Sequence, residues 1–281
     1  CSSVGNPESP SFPAAGIPAA FSVHSSHFFV MALPASQGLV WFREALRALK
    51  NQPVALSGIV VFNLLMMGIL SSLPIVGLVL ASLWMPFGVV LTAEGARDAL
   101  DGRIPRYTPL KTAWDNRAGR VGLFTIGIVS AVAMEIISAV FALLGRDQIA
   151  AWVIDEQGIS IESVLANFPT TAALVALLLN VLLWMATTFP PLLIHRAGQA
   201  PMQSIFYSFF GILKNWASVL AFVLVLGLLT AALSAVSVMI SIAMGIPSAW
   251  GYFTPFIVVF LTSIAQAGVW SMYRDIFQGS R

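Results

Sequence analysis

Charge is the scarcest commodity in this chain. Only 9% of its 281 residues are Asp, Glu, Lys or Arg, whereas soluble domains carry about 25%. Cysteine is scarcer still: Cys1 stands alone, which excludes an internal disulfide and any cysteine-built zinc or iron–sulfur centre. Past residue 30 the only histidine is His195, so a cluster of histidine ligands cannot form. No Gly-x-x-x-x-Gly-Lys phosphate loop, His-Glu-x-x-His helix or Gly-x-Ser-x-Gly elbow occurs. The sequence therefore names no catalytic residue, no metal site and no cofactor, and nothing in it points to a nucleic-acid partner.

What the chain has in abundance is apolar length. Hydrophobic residues make up 58% of it, gathered into six runs at 53–73, 74–94, 121–144, 169–194, 216–244 and 251–273. A bilayer crossing needs about 20 apolar residues, and the absence of water in the hydrocarbon obliges each crossing to be helical. No polar stretch between runs is long enough for a soluble domain. The expected fold is an all-α integral membrane protein, with six transmembrane helices in three hairpins spanning residues 37–281.

The few charges are unevenly placed. If the residues before the first run are inside, the inner segments hold Arg43, Arg47, Lys50, Arg97, Arg103, Arg106, Lys111, Arg117, Arg120, Arg196, Lys214, Arg274 and Arg281. The outer segments hold only Arg146, out of 14 basic residues in all. Basic residues concentrate in cytoplasmic loops, so both termini are expected in the cytoplasm of a cell inner membrane. The acidic residues of the long outer loop, Asp147, Asp155, Glu156 and Glu162, agree with this. That loop, 146–168, reads as a surface helix with Trp152 and Val153 dipping toward the membrane. Residues 1–36 are rich in Ser and Pro, lack Lys and Arg, and read as a disordered or non-native extension, with Met31 a candidate start.

Three segments resemble one another just ahead of an outward run: Ala48 to Pro53, Ala113 to Ala118 and Ile212 to Ala217. Each carries an Asn (Asn51, Asn116, Asn215) with an apolar residue two positions earlier. Gly102-x-x-Pro105 and Gly198-x-x-Pro201 precede the second and third. The implied unit is a short cytoplasmic helix, a span outward, a turn and a span back, used three times as a parallel repeat. The short helices are amphipathic. In 39–50, Leu39, Phe42, Leu46 and Leu49 share one face and Arg43, Arg47 and Lys50 another, as in a helix lying flat on anionic headgroups at the cytoplasmic surface.

Gly38-x-x-Trp41, the run Ala48 to Pro53, the turn Leu73-Pro74-Ile75-Val76-Gly77, Pro86 and Gly102-x-x-Pro105 resemble an uncharacterised family of proteobacterial multi-pass inner-membrane proteins. The repeated Lys-Asn start is more distantly similar to membrane domains accompanying glycerophosphodiester phosphodiesterases. The resemblance covers roughly residues 37–281 and implies a six-pass inner-membrane protein. It carries no substrate and no catalytic residue.

Glu135 is the one ionisable residue deep inside a run, and such a residue is a functional candidate by default. Gly127, Ala131, Ser138 and Ala142 share its helix face, a small-residue stripe suited to helix contact, so Glu135 is expected to face the bundle, with Asn63 and Asn180 as polar neighbours from other spans. It reads either as a proton- or cation-binding carboxyl or as a structural staple. Thr230, Ser234, Ser237 and Ser241 form a second polar stripe, consistent with a pathway or with close packing. Pro86, Pro190-Pro191 and Pro255 should bend their spans. Glu94, Arg97, Asp98 and Asp101 read as a solvated helix end, and His195 as an interfacial anchor. Two functions follow: a non-enzymatic membrane protein acting through lipid or protein partners, or a secondary transporter of a small solute centred on Glu135.

Overall fold

The structure, a computed structural model, describes residues 30–155, 158–246 and 250–278. It is helical nearly throughout. A short helix α1 (Gln37–Asn51) leads into α2 (Pro53–Ser71), and a turn leads into α3 (Gly77–Leu100). Next come α4 (Thr108–Asp115) and α5 (Arg117–Leu144), then α6 (Arg146–Ala150), a two-residue antiparallel pair β1 (Ile154–Asp155) and β2 (Gly158–Ile159), and α7 (Ile161–Ala166). Helices α8 (Thr170–Thr187) and α9 (Pro190–Ala197), then α10 (Pro201–Lys214), α11 (Trp216–Ala243) and α12 (Trp250–Tyr273) follow, and one π-helical turn (Arg274–Gln278) ends the described chain.

Six stretches are long and apolar enough to cross a membrane: Pro53–Ser71, Gly77–Leu100, Arg117–Leu144, Thr170–Ala197, Trp216–Ala243 and Trp250–Gln278. They match the expected runs in number, with shifted ends. The second starts at Gly77, because Leu73–Val76 form the turn, and runs to Leu100, because its charged end is paired inside the protein. Two expectations about the ends of the chain and the long loop need correction. Residues 146–168 do not form one surface helix: two short helices flank the β pair, and Trp152 is tied back through Nε1 to the Asn167 carbonyl at 3.2 Å. Residues 30–36 are not a free extension. Leu33 N donates to Asn215 Oδ1 at 2.9 Å, and Met31 N to the Ile276 carbonyl at 3.1 Å. The expectation for residues 1–29 lies outside the described residues.

Helix α3 is the centre of the packing. It touches α1, α2, α4, α5, α9 and α12, and 61% of its apolar window is buried, against 11–28% for the other five spans. The short helices α1, α4 and α10 all lie at one end of the bundle, here the basic end. Each packs on a span from another part of the chain: α1 on α11 and α12, α4 on α3, and α10 on α8 and α9. Burial is concentrated at this end. In α2 it falls on Leu56, Ile59 and Val60, and in α12 on Ser263 to Tyr273. At the far end the helices present apolar side chains such as Leu65, Ile69, Leu228 and Phe256 outward, as spans solvated by lipid do.

Local chemistry explains the junctions. Asn116 closes α4 and caps α5, its Oδ1 accepting from Gly119 N at 3.2 Å; a side-chain oxygen here satisfies one of the helix's orphan donors. Pro190 and Pro191 offer no N–H and end α8. The gap is bridged by Ser208 of α10, whose Oγ accepts from Phe189 N at 3.2 Å and donates to the Met185 carbonyl at 2.6 Å. The hydroxyl thus stands inside what would be one helical hydrogen bond.

Candidate functional site

The three polar residues singled out within the spans do not meet. Asn63 is half-buried and accepts from Trp84 Nε1 at 2.8 Å. Asn180 donates through Nδ2 to the Ala176 carbonyl of its own helix, at 2.8 Å. Glu135 is exposed and has no hydrogen-bond or ion-pair partner among the described residues. The expectation that it faces the bundle therefore fails, and the small-residue stripe shows why. Its first half packs as expected: a Cβ on Gly127 would sit 2.8 Å from the Leu83 Cα, so α5 lies directly on α3 there. The helices run antiparallel, and eight residues onward from each lie Glu135 and Ile75, about 12 Å along the axis. Ile75 is in the turn where α3 begins. Beyond it the stripe has no neighbour, and Ser138 and Ala142 are exposed with Glu135. The carboxyl is level with the end of α2, a helix about 28 Å long. It lies past the α3 contact, near the level of the turn that joins α2 to α3.

The second polar stripe serves its own helix. Thr230 donates to the Leu226 carbonyl, Ser237 to Ser234 and Ser241 to Ser237, each at 2.8 Å. Gln266 does point inward, its Oε1 accepting from Thr92 at 3.2 Å.

The charged chemistry lies instead at the basic end. Glu94 of α3 is 5% exposed. It is not part of a solvated helix end, because Arg196 of α9 reaches across to it. Arg196 Nε donates to Glu94 Oε1, and Nη2 to Oε2 at 2.6 Å. Arg97 adds a donor at 3.3 Å. Both guanidiniums stand over the Trp270 ring of α12, Arg196 at 4.6 Å and Arg97 at 6.0 Å from the centroid. The two parallel bonds of the Arg196 pair and the cation–π face fit the planar fork of arginine. Three return spans are tied at one point, with half-buried His195 beside it.

A second cluster surrounds Asp275, 4% exposed. Its Oδ2 accepts from Gln37 Nε2 at 2.7 Å and Trp41 Nε1 at 2.9 Å, and its Oδ1 from Arg274 at 2.7 Å. Arg274 also donates to both oxygens of Glu44, at 3.0 and 3.1 Å. This cluster fastens α1 to the end of α12. The apolar face of α1 is accordingly rotated from the expected one. Gly38, Trp41, Ala45, Ala48 and Leu49 are buried against protein, while Leu39 is 43% exposed. Arg43, Arg47 and Lys50 remain exposed, without an ion pair among the described residues, as basic anchors should be.

Every oxygen of Glu94 and Asp275 is engaged by a donor from the protein itself. The described residues gather no group of three or more His, Cys, Asp or Glu side chains that could hold a metal. Sequence spacing missed both clusters, because Glu94 and Arg196 are 102 residues apart and Trp41 and Asp275 are 234 apart. The available signal was compositional: a Glu just inside an apolar run, and an Arg ending another.

Comparison with known proteins finds no matching family model, no matching curated protein and no matching solved structure.

Proposed function

We propose that this chain is a non-enzymatic, multi-pass inner-membrane protein that works through lipid or protein partners at the cytoplasmic surface, with both termini on that side. The observation that carries the reading is the division of charge at the basic end. Glu94 and Asp275 are fully compensated inside, while Arg43, Arg47 and Lys50 point outward unpaired among the described residues. Internal charges that hold helices together, with free cations outside, suit a body that docks onto anionic headgroups. The alternative, a small-solute transporter coupled through Glu135, gains no geometric support from an exposed carboxyl separated from Asn63 and Asn180.

Triplication of a helix-plus-hairpin unit belongs to the same reading. It is supported by the recurrence of short helix, Asn, long helix and returning helix, and by packing that runs in a circle. The short helix of each unit rests on a returning span of the unit before it, and the first rests on the last. The three asparagines each lie where a short helix gives way to a long one, with different partners: Asn51 donates to the Ala99 carbonyl at 3.1 Å, Asn116 caps α5, and Asn215 holds residues 31–33.

Untargeted lipid and metabolite profiling of cells lacking the protein tests the function. A changed lipid or envelope composition, with small-solute pools intact, is the expected outcome. Loss or accumulation of a single soluble metabolite would favour the transporter instead.

A further inference from the structure

Two open depressions meet at the loop between α3 and α4. The first is a groove of about 570 Å³ lined by Arg97, Asp98, Arg103, Ile104, Arg106 and Thr108. The second is a cleft of about 340 Å³ lined by Trp84, Tyr107, Leu110, Lys111 and Trp114. Arg106, Tyr107 and Thr108 are consecutive, so one short segment lines both the basic groove and the aromatic cleft.

The charges of the groove are not all spent. Arg103 is held by Asp98 at 3.0 Å and Asp101 at 2.6 Å, and Lys111 by Asp115 at 2.6 Å. Their hydrogen bonds to Asp98 and Asp115 raise both cations further above their ordinary values, so the local charge is constant around neutral pH. Arg97 shares Glu94 with Arg196, at 3.3 Å, and lies 3.9 Å from Asp101. Arg106 is exposed and has no partner among the described residues. Four arginines thus meet three carboxylates around the groove, and the surplus guanidinium is that of Arg106. The cleft beside them is braced from behind: Phe62 meets Trp84 at 6.0 Å and Tyr107 at 5.5 Å, and Phe124 meets Trp114 at 6.0 Å between ring centroids.

A soluble anion would use the groove and leave the cleft empty, and a neutral apolar molecule would do the reverse. We propose that the two depressions together bind one anionic glycerophospholipid, its phosphate at Arg106 and an acyl chain along Trp84, Tyr107 and Trp114. The site rests on the lipid-interacting reading above and gives it a specific occupant. An aromatic cleft beside an unpaired arginine matches the polarity gradient of such a lipid, from acyl chain to phosphate.

The full chain reconstituted in phosphatidylcholine vesicles tests this. A fraction of the lipid is phosphatidylglycerol or phosphatidylcholine carrying brominated acyl chains, which quench nearby tryptophan. Brominated phosphatidylglycerol should quench more effectively, and Trp114→Phe should remove part of that quenching. Arg106→Gln should lower the preference about five-fold, the weight of one basic side chain near an anionic surface. Arg146→Gln, at the other end of α5, should leave it unchanged. Equal quenching by both lipids, or an Arg106→Gln variant with undiminished preference, overturns the site. Displacement of the brominated lipid by millimolar glycerol 3-phosphate would assign the groove to soluble phosphates and overturn the lipid. Arg106 has no partner among the described residues, so an unchanged unfolding midpoint should accompany the substitution. If Arg106→Gln fully restores the lipid profile of cells lacking the protein, the site fails and the functional reading stands. If the preference falls but deletion leaves lipids unchanged, the reverse holds.

Discussion

At the scale of single residues, the bundle depends on one carboxylate. Glu94 sits where α3, α9 and α12 converge, and its side chain is 7% exposed against 21% for Arg196. Removing one partner of such a pair strands the other charge, which costs about 3–5 kcal/mol. Arg196→Met should therefore lower the midpoint of unfolding in a detergent titration severely. Glu94→Leu combined with Arg196→Met should recover most of the loss, because the one cation left behind, Arg97, is 39% exposed and keeps Asp101 at 3.9 Å. Glu135 makes the opposite case. Exposed and without a partner, it should accept both Gln and Leu with changes within about 0.5 kcal/mol in the same assay, the range of surface substitutions. A large loss in Glu135→Leu would overturn the placement of this carboxyl on the outside of the bundle. The sequence misjudged the two residues in a complementary way. A long apolar run around Glu135 suggested depth, yet depth depends on where the neighbouring hairpin ends. Charges around Glu94 suggested water, yet those neighbours are its partners.

At the scale of elements, close approach and interrupted hydrogen bonding set the weak points. Helix α1 lies so tightly on α11 that a Cβ on Gly38 would stand 2.2 Å from the Ser218 carbonyl oxygen and 2.8 Å from Phe222 N. Both are backbone atoms, so Gly38→Ala must push the helices apart, at about 1–3 kcal/mol, readable as a lowered unfolding midpoint. At the α8–α9 break, Ser208→Ala removes the hydroxyl that serves both Phe189 N and the Met185 carbonyl. Two buried backbone groups lose their partner, and a loss of about 1–3 kcal/mol is expected. Ser208→Thr, which keeps the hydroxyl, should lose less. The break itself was legible from Pro190-Pro191. Its repair was not, because a serine 17 residues beyond Pro191 carries no local mark of its role. The short helices were legible as amphipathic, but the apolar face of α1 was placed off-centre: Gly38, Trp41, Ala45 and Ala48 lead the contact, Leu49 shares it, Phe42 and Leu46 border it, and Leu39 is exposed.

At the scale of the whole molecule, the number of spans could be read directly, since each crossing must satisfy its backbone within about 20 residues. Which spans touch could not, because lipid-facing and protein-facing leucines look alike in sequence. The orientation predicted by the basic residues is open to direct test. A reporter fused after Arg281 should behave as cytoplasmic and one inserted near Gln157 as external; the reverse pattern would overturn the assignment.

The circular packing also has a consequence for biosynthesis. Trp41 and Gln37 belong to the first helix, and their shared acceptor, Asp275, is among the last residues of the described chain. The ribosome must deliver all six crossings before α1 acquires its permanent seat. Until then α1 can rest only on α2, α3 and, once made, α11, and Trp41 lacks its acceptor. The protein closes like a clasp, and a nascent chain stalled before residue 250 should expose Arg43 and Arg47 to trypsin far more readily than the finished one.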